Sequence, residues 1–126
     1  MQSLTDTHCH LYWNKFDEDR EAVIQRAIEA GVTRMLVPGT TIETSRQAID
    51  LAEKYEQVYA AVGIHPTDAE TLNETNINEL FHLAEHEKVA AIGEIGLDYY
   101  WIKDPAKQSH QRVVFNSQVQ IADALN

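Results

Sequence analysis

Short apolar runs alternate with segments of helical spacing along the whole chain. Leu4 to Leu11 reads as a first strand, and Phe16 to Ala30 follows at helical spacing. Asp17 is a possible cap for that helix and Phe16 a possible staple. Ala22, Val23, Ala27 and Ile28 fall on or near one face, and Gly31 suits the stop. Arg34 to Gly39 predicts a second strand, and Thr40 with Glu43 has capping-box spacing. The next helix extends to about Tyr55, with Ala48, Leu51, Ala52 and Tyr55 inward. Val58 to Ile64 is a third strand closed by His65-Pro66. Asn76 to Glu87 is a helix with Ile77, Leu80, Phe81 and Ala84 at helical spacing. Val89 to Ile95 is a fourth strand. Pro105 then suits the first turn of a last helix, expected to turn Phe115, Val119, Ala122 and Leu125 inward.

The order βαβαβαβα predicts parallel pairing in an α/β fold. The strands are nearly continuous apolar runs, as in a sheet covered by helices. Composition leaves this picture intact: 44% of the 126 residues are hydrophobic and 24% charged, close to an ordinary soluble domain. Charge narrows it. Ten Lys and Arg stand against 20 Asp and Glu, so a nucleic-acid binder with a broad basic surface is excluded. Phosphate contact through divalent ions is not excluded, because bound cations invert the local charge logic. One cysteine, Cys9, cannot form an internal disulfide and fits a reducing compartment. No stretch predicts a membrane span or a signal peptide, so the expected location is the cytoplasm, with no membrane partner.

Chemistry-bearing residues collect at one edge. In Asp6-Thr7-His8-Cys9-His10, strand alternation turns Asp6, His8 and His10 to one face and Cys9 to the other. Two imidazoles on one face can chelate a divalent ion, and Asp6 could fix a histidine tautomer behind them. A chance histidine pair near a strand end is the plainer alternative. Glu94, between Gly93 and Ile95-Gly96, is delivered by an apolar strand to the sheet's carboxyl edge, where parallel α/β folds bind ligands. Such a carboxylate can bridge two cations, or it can be a solvated strand-end residue. Asp98 is weighed equally between a turn role and support of the site. His65, held between Gly63-Ile64 and Pro66, could bind phosphate or assist proton transfer, or be a hydrogen-bonded loop residue. Tyr99, Tyr100 and Trp101 could stack on a base or close the rim. His82 and His86 read as a solvated helix face. Agreement of His8, His10, His65, Glu94 and Asp98 on one edge favours a divalent-metal site.

At these residues the chain resembles the TatD-type metal-dependent deoxyribonucleases of the amidohydrolase-like superfamily. The matching segments are Asp6-Thr7-His8-Cys9-His10-Leu11, Gly63-Ile64-His65-Pro66 and Ala91-Ile92-Gly93-Glu94-Ile95-Gly96-Leu97-Asp98-Tyr99-Tyr100, with Gln111, Phe115, Gln118 and Ile121-Ala122 further on. The resemblance implies a TIM (β/α)8 barrel with two divalent ions, of a kind such as magnesium, manganese or zinc. His8 and His10 would bind one metal, Glu94 would bridge both and activate water, and His65 would lie near the substrate phosphate. The implied substrate is DNA or a nucleotide, cut at phosphodiester bonds from an end. Trp101 stands where many members carry a basic residue, and the family's later ligands, two histidines and an aspartate, have no counterpart here.

A barrel of about 250 residues has about 31 per βα unit, so 126 residues make about four units. Residues 1–126 are therefore expected to be the N-terminal half of a barrel. The isolated chain is expected to have little or no two-metal activity and to self-associate through open sheet edges. Two alternatives remain: an amidohydrolase cutting a small cyclic amide or ester, and a non-catalytic half-barrel that works only with a partner.

Overall fold

A computed structural model describes residues 3–126. Four strands, β1 (Leu4–Asp6), β2 (Val32–Pro38), β3 (Val58–Val62) and β4 (Val89–Ile92), form one parallel sheet in the order β1-β2-β3-β4. Between and after them come α1 (Arg20–Glu29), α2 (Ile42–Lys54), α3 (Ile77–Ala84) and α4 (Pro105–Ala124), as the alternating pattern predicts. Register pairs Asp6 with Met35, Val37 with Ala60, and Val62 with Ile92.

Alternation along these strands sorts their side chains. Met35, Val37, Val58, Ala60 and Val62 are buried, and join Ile24, Ala48, Ala52 and Leu80 of the helices in one core. Thr5, Arg34 and Ala91, on the opposite face, are exposed. The helices thus cover one face of the sheet; the other is open at Thr5, Arg34 and Ala91, while Pro38 and Ala61 on it are buried. At the carboxyl edge the sheet curls: Glu94 N donates to Gly39 O at 2.8 Å, across the end of β3. Gly63 lies beneath that crossing, and a Cβ there would come within 2.8 Å of the Gly93 carbonyl carbon. This curvature, with helices on one side, is the half-barrel arrangement. No helix among the described residues is long and apolar enough to cross a membrane.

Several local expectations change; β3 and β4 end early, at Val62 and Ile92, and α3 ends at Ala84. β1 ends at Asp6 rather than Leu11, because the Asp6 carboxylate takes the His8 N–H at 3.0 Å and turns the chain. α1 starts at Arg20, after a 3-10 turn at Asn14–Phe16, and Asp17 pairs with Arg20 instead of capping. The capping box of α2 is Thr41 with Thr44, one residue beyond the expected pair. α4 is turned by one residue. Gln111, Val114, Gln118 and Ile121 are buried, whereas Val119, Ala122 and Leu125 are exposed and Phe115 is half-buried.

The buried glutamines have a defined task. Gln118 Oε1 accepts from Ile64 N at 2.7 Å, and its Nε2 donates to Ile64 O at 3.2 Å. One carboxamide thus occupies the place of a strand partner where β3 has run out. Ser45 Oγ does the same for the neighbouring residue, accepting from Gly63 N at 3.1 Å and donating to Gly63 O at 3.4 Å. Gln118→Leu keeps the volume but orphans the Ile64 N–H and C=O. It is expected to lower stability by about 2 kcal/mol in chemical denaturation, the penalty of unpaired buried backbone groups.

Candidate metal centre

The segment after β1 carries two imidazoles out over the carboxyl edge. Its backbone is fastened from below by Arg20, which donates to Leu11 O at 2.6 Å and to Trp13 O at 3.1 Å. Leu11 is buried in the core, and Cys9 N continues the contact with β2 by donating to Leu36 O. So the loop is irregular but tied down at both ends.

On this base three donors converge. His8 Nε2 and His10 Nε2 are 3.1 Å apart, and Glu94 Oε2 lies 3.6 and 3.5 Å from them. Ligand bonds of about 2.1 Å would space donors about 3.0 Å apart at right angles and about 3.4 Å apart at the tetrahedral angle. The three donors therefore fit one divalent ion, and among the described residues they are the one such cluster. Imidazole nitrogens with a carboxylate oxygen suit zinc, manganese and related ions.

Hydrogen bonding fixes the His10 ring. Tyr12 Oη donates to Pro38 O at 2.9 Å, so its oxygen accepts from His10 Nδ1–H, also at 2.9 Å. The Nε2 lone pair is thereby left bare toward His8 and Glu94. Trp13 stacks flat on the same ring, with centroids 4.6 Å apart and planes 7° from parallel. Burial holds the His10 pKa below the usual imidazole range, and the Glu94 carboxylate partly opposes this. The hydrogen bond sets which nitrogen carries the proton, and burial favours the unprotonated ring that a cation requires. Tyr12→Phe removes the acceptor, and titration calorimetry is expected to show roughly tenfold weaker metal binding, as when other ligand-orienting groups are lost.

His65 has the opposite tautomer. Its Nδ1 accepts from Thr67 N at 3.1 Å, which leaves the proton on Nε2. That Nε2 faces Glu94 Oε1 at 3.8 Å. An N–H directed over the edge is a donor suited to an anionic oxygen rather than a third imidazole ligand.

Asp6 and Asp98 act on backbone instead of on the rings. Asp6 holds His8 N, and Asp98 Oδ1 accepts from Tyr100 N and Trp101 N. Of the two readings of Asp98, these bonds are those of the turn. The ring-orienting task considered for Asp6 is performed for His10 by Tyr12. Cys9 turns away and donates to Leu36 O at 3.4 Å, and burial with the nearby Asp6 carboxylate pushes its thiol up to about 12. His82 and His86 bond to Glu85 and Glu53 on the helix side.

Sequence reasoning missed Tyr12, Trp13, Arg20 and Ser45. The signal for the first two was their place two and three residues after His10. Arg20 and Ser45 act through backbone atoms, which no side-chain motif announces.

Comparison with known proteins adds to this geometry. A family model described as TatD related DNase matches residues 5–126. The chain is 42% identical over 123 residues to "Uncharacterized metal-dependent hydrolase YabD" of Bacillus subtilis, covering 98% of this chain and 48% of that protein. It is 41% identical over 121 residues to "3'-5' ssDNA/RNA exonuclease TatD" of Cronobacter sakazakii, covering 95% and 45%. Among solved structures, the TatD homologue YjjV of Escherichia coli superposes with a TM-score of 0.85 at 36% identity, over 97% of this chain and 47% of that one. The chain spans about half the length of the curated relatives it matches.

Proposed function

Because this chain belongs to the TatD related DNase family of metal-dependent hydrolases, we propose that it serves the hydrolysis of phosphodiester bonds at single-stranded nucleic-acid ends. Its four βα units belong to the TIM (β/α)8 barrel of that family. The observation that carries the reading is the convergence of His8 Nε2, His10 Nε2 and Glu94 Oε2 at one edge of the sheet. A relative's printed activity on single-stranded DNA and RNA supports the substrate class.

In this reading His8, His10 and Glu94 would hold one ion, and Glu94 would also serve a second. Divalent ions bound there supply an activated water and a positive clamp on the phosphate. His65 donates from Nε2 to a phosphate oxygen, its proton fixed on that atom by Thr67. Tyr12 keeps the His10 lone pair aimed inward. An acidic chain thereby meets a polyanion through cations rather than through a basic surface. Three donors are too few for two ions, so residues 1–126 alone are proposed to bind one ion weakly and to release nucleotides far more slowly than a full-length relative.

The test uses the purified 126-residue chain, its mass verified, with Mn2+ and an end-labelled single-stranded oligonucleotide. Binding of one ion per chain with slow or absent nucleotide release is expected. Absence of any metal binding would remove the metal-centre reading. Release at the rate of a full-length relative would overturn the claim of an incomplete site. Preferential opening of a cyclic amide would move the chain to the amidohydrolase branch.

A further inference from the structure

Six residues beyond Glu94, two large aromatic rings stand in solvent. Tyr100 is 73% exposed and Trp101 72%. They meet edge to face, with centroids 4.8 Å apart. The loop beneath them is tightly held. Gln111, 2% exposed, accepts from Asp98 N at 2.9 Å and donates to Asp98 O at 3.1 Å. Asp98 Oδ1 then accepts from Tyr100 N at 3.1 Å and from Trp101 N at 3.0 Å. A buried amide thus fixes the turn, and the turn fixes the backbone of both rings.

Two cations complete the patch. Lys103 Nζ lies 5.5 Å from the Tyr100 ring centroid and donates to Tyr99 O, and Arg112 Nη1 donates to Tyr99 Oη. In a chain of net charge −10, this places positive charge beside exposed rings. Aromatic faces with adjoining cations form the physical pattern that binds single-stranded nucleic acid, bases on rings and phosphates on cations. Six extended residues reach at most about 22 Å, so the patch lies within a few nucleotides of Glu94.

We infer that Tyr100 and Trp101 form a base-stacking subsite for single-stranded nucleic acid, held by Asp98 and Gln111 beside the metal centre. The inference rests on the nucleic-acid reading above and extends it to how the strand is positioned.

The chain has two tryptophans, Trp13 and Trp101, so Trp13→Phe leaves Trp101 as the sole indole reporter. A phenyl ring can retain the stack on His10. Titration in EDTA compares a five-nucleotide oligodeoxyadenylate with an abasic strand of equal phosphate number. Saturable quenching of Trp101 by the adenylate but not by the abasic strand is expected. In this same reporter chain, Tyr100→Ala is expected to weaken adenylate binding roughly tenfold, the effect of losing one aromatic stack. Equal response to the two strands, or no quenching, would overturn the subsite. So would a blue shift of Trp101 on raising protein concentration alone, because a second copy would then cover the rings. Base-dependent quenching in the reporter chain, with no Mn2+ binding by the unsubstituted chain, would keep the subsite and remove the metal-centre reading. Mn2+ binding by the unsubstituted chain without base-dependent quenching would do the reverse.

Discussion

Glu94→Ala is expected to weaken Mn2+ or Zn2+ binding by roughly 100-fold or more, beyond the tenfold to 100-fold typical of losing a supporting group behind a ligand. The reason is geometric. Glu94 Oε2 completes the triangle with His8 and His10, and it is the only carboxylate oxygen of that cluster. Without it, two neutral imidazoles remain, and the charge that offsets a divalent cation is gone. Glu94→Gln separates these contributions. The amide keeps the shape and the oxygen but lacks the negative charge, so an intermediate affinity is expected. Titration calorimetry at fixed pH reads both variants. Unchanged affinity in Glu94→Ala would remove this carboxylate from the site, whatever the chain hydrolyses.

Gly39→Ala is expected to have the largest effect on stability, a loss of about 3 kcal/mol and a melting temperature lower by roughly 12 °C. An added Cβ would lie 2.3 Å from Ser45 Oγ, 2.6 Å from its Cα and 2.7 Å from its N. Two of these are backbone atoms at the start of α2, so rotating a side chain does not relieve the clash. The displacement reaches further, because Ser45 holds both backbone groups of Gly63 and Gly39 O receives Glu94 N. The loops that carry His65 and Glu94 would move with it. Gly93→Ala is the control: its added Cβ would meet only Ala61 Cβ, at the ordinary contact distance of 3.7 Å. Equal thermal melts for the two variants would refute this account of Gly39.

The alternation of strands and helices was legible because buried parallel strands are apolar throughout and the helices between them carry periodic faces. Ala48, Ala52 and Leu80 took the core positions their spacing predicts. The face of α4 was not legible for a specific reason. Hydropathy places a glutamine outward, yet Gln111 and Gln118 are buried to pair with backbone. Counting them as polar turns the apparent face by one residue, about 100° of helix. Similarly, the approach of the two imidazoles was legible, but its cause was not. Strand alternation was the expected reason, whereas the chain leaves the strand at Asp6 and the rings are aimed by Tyr12, Trp13 and Arg20. Contacts between a side chain and distant backbone atoms have no signature in local spacing.

The simple strand order has a consequence for synthesis. Each strand pairs with the one made just before it, so the sheet can grow one unit at a time as the chain leaves the ribosome. The donors do not arrive together. His8 and His10 emerge with the first unit, and Glu94 only with the fourth. An early imidazole pair would meet metal without its carboxylate, so capture by all three donors would wait until β4 docks on β3. Metal retention by ribosome-bound chains of increasing length would therefore report the moment at which β4 docks.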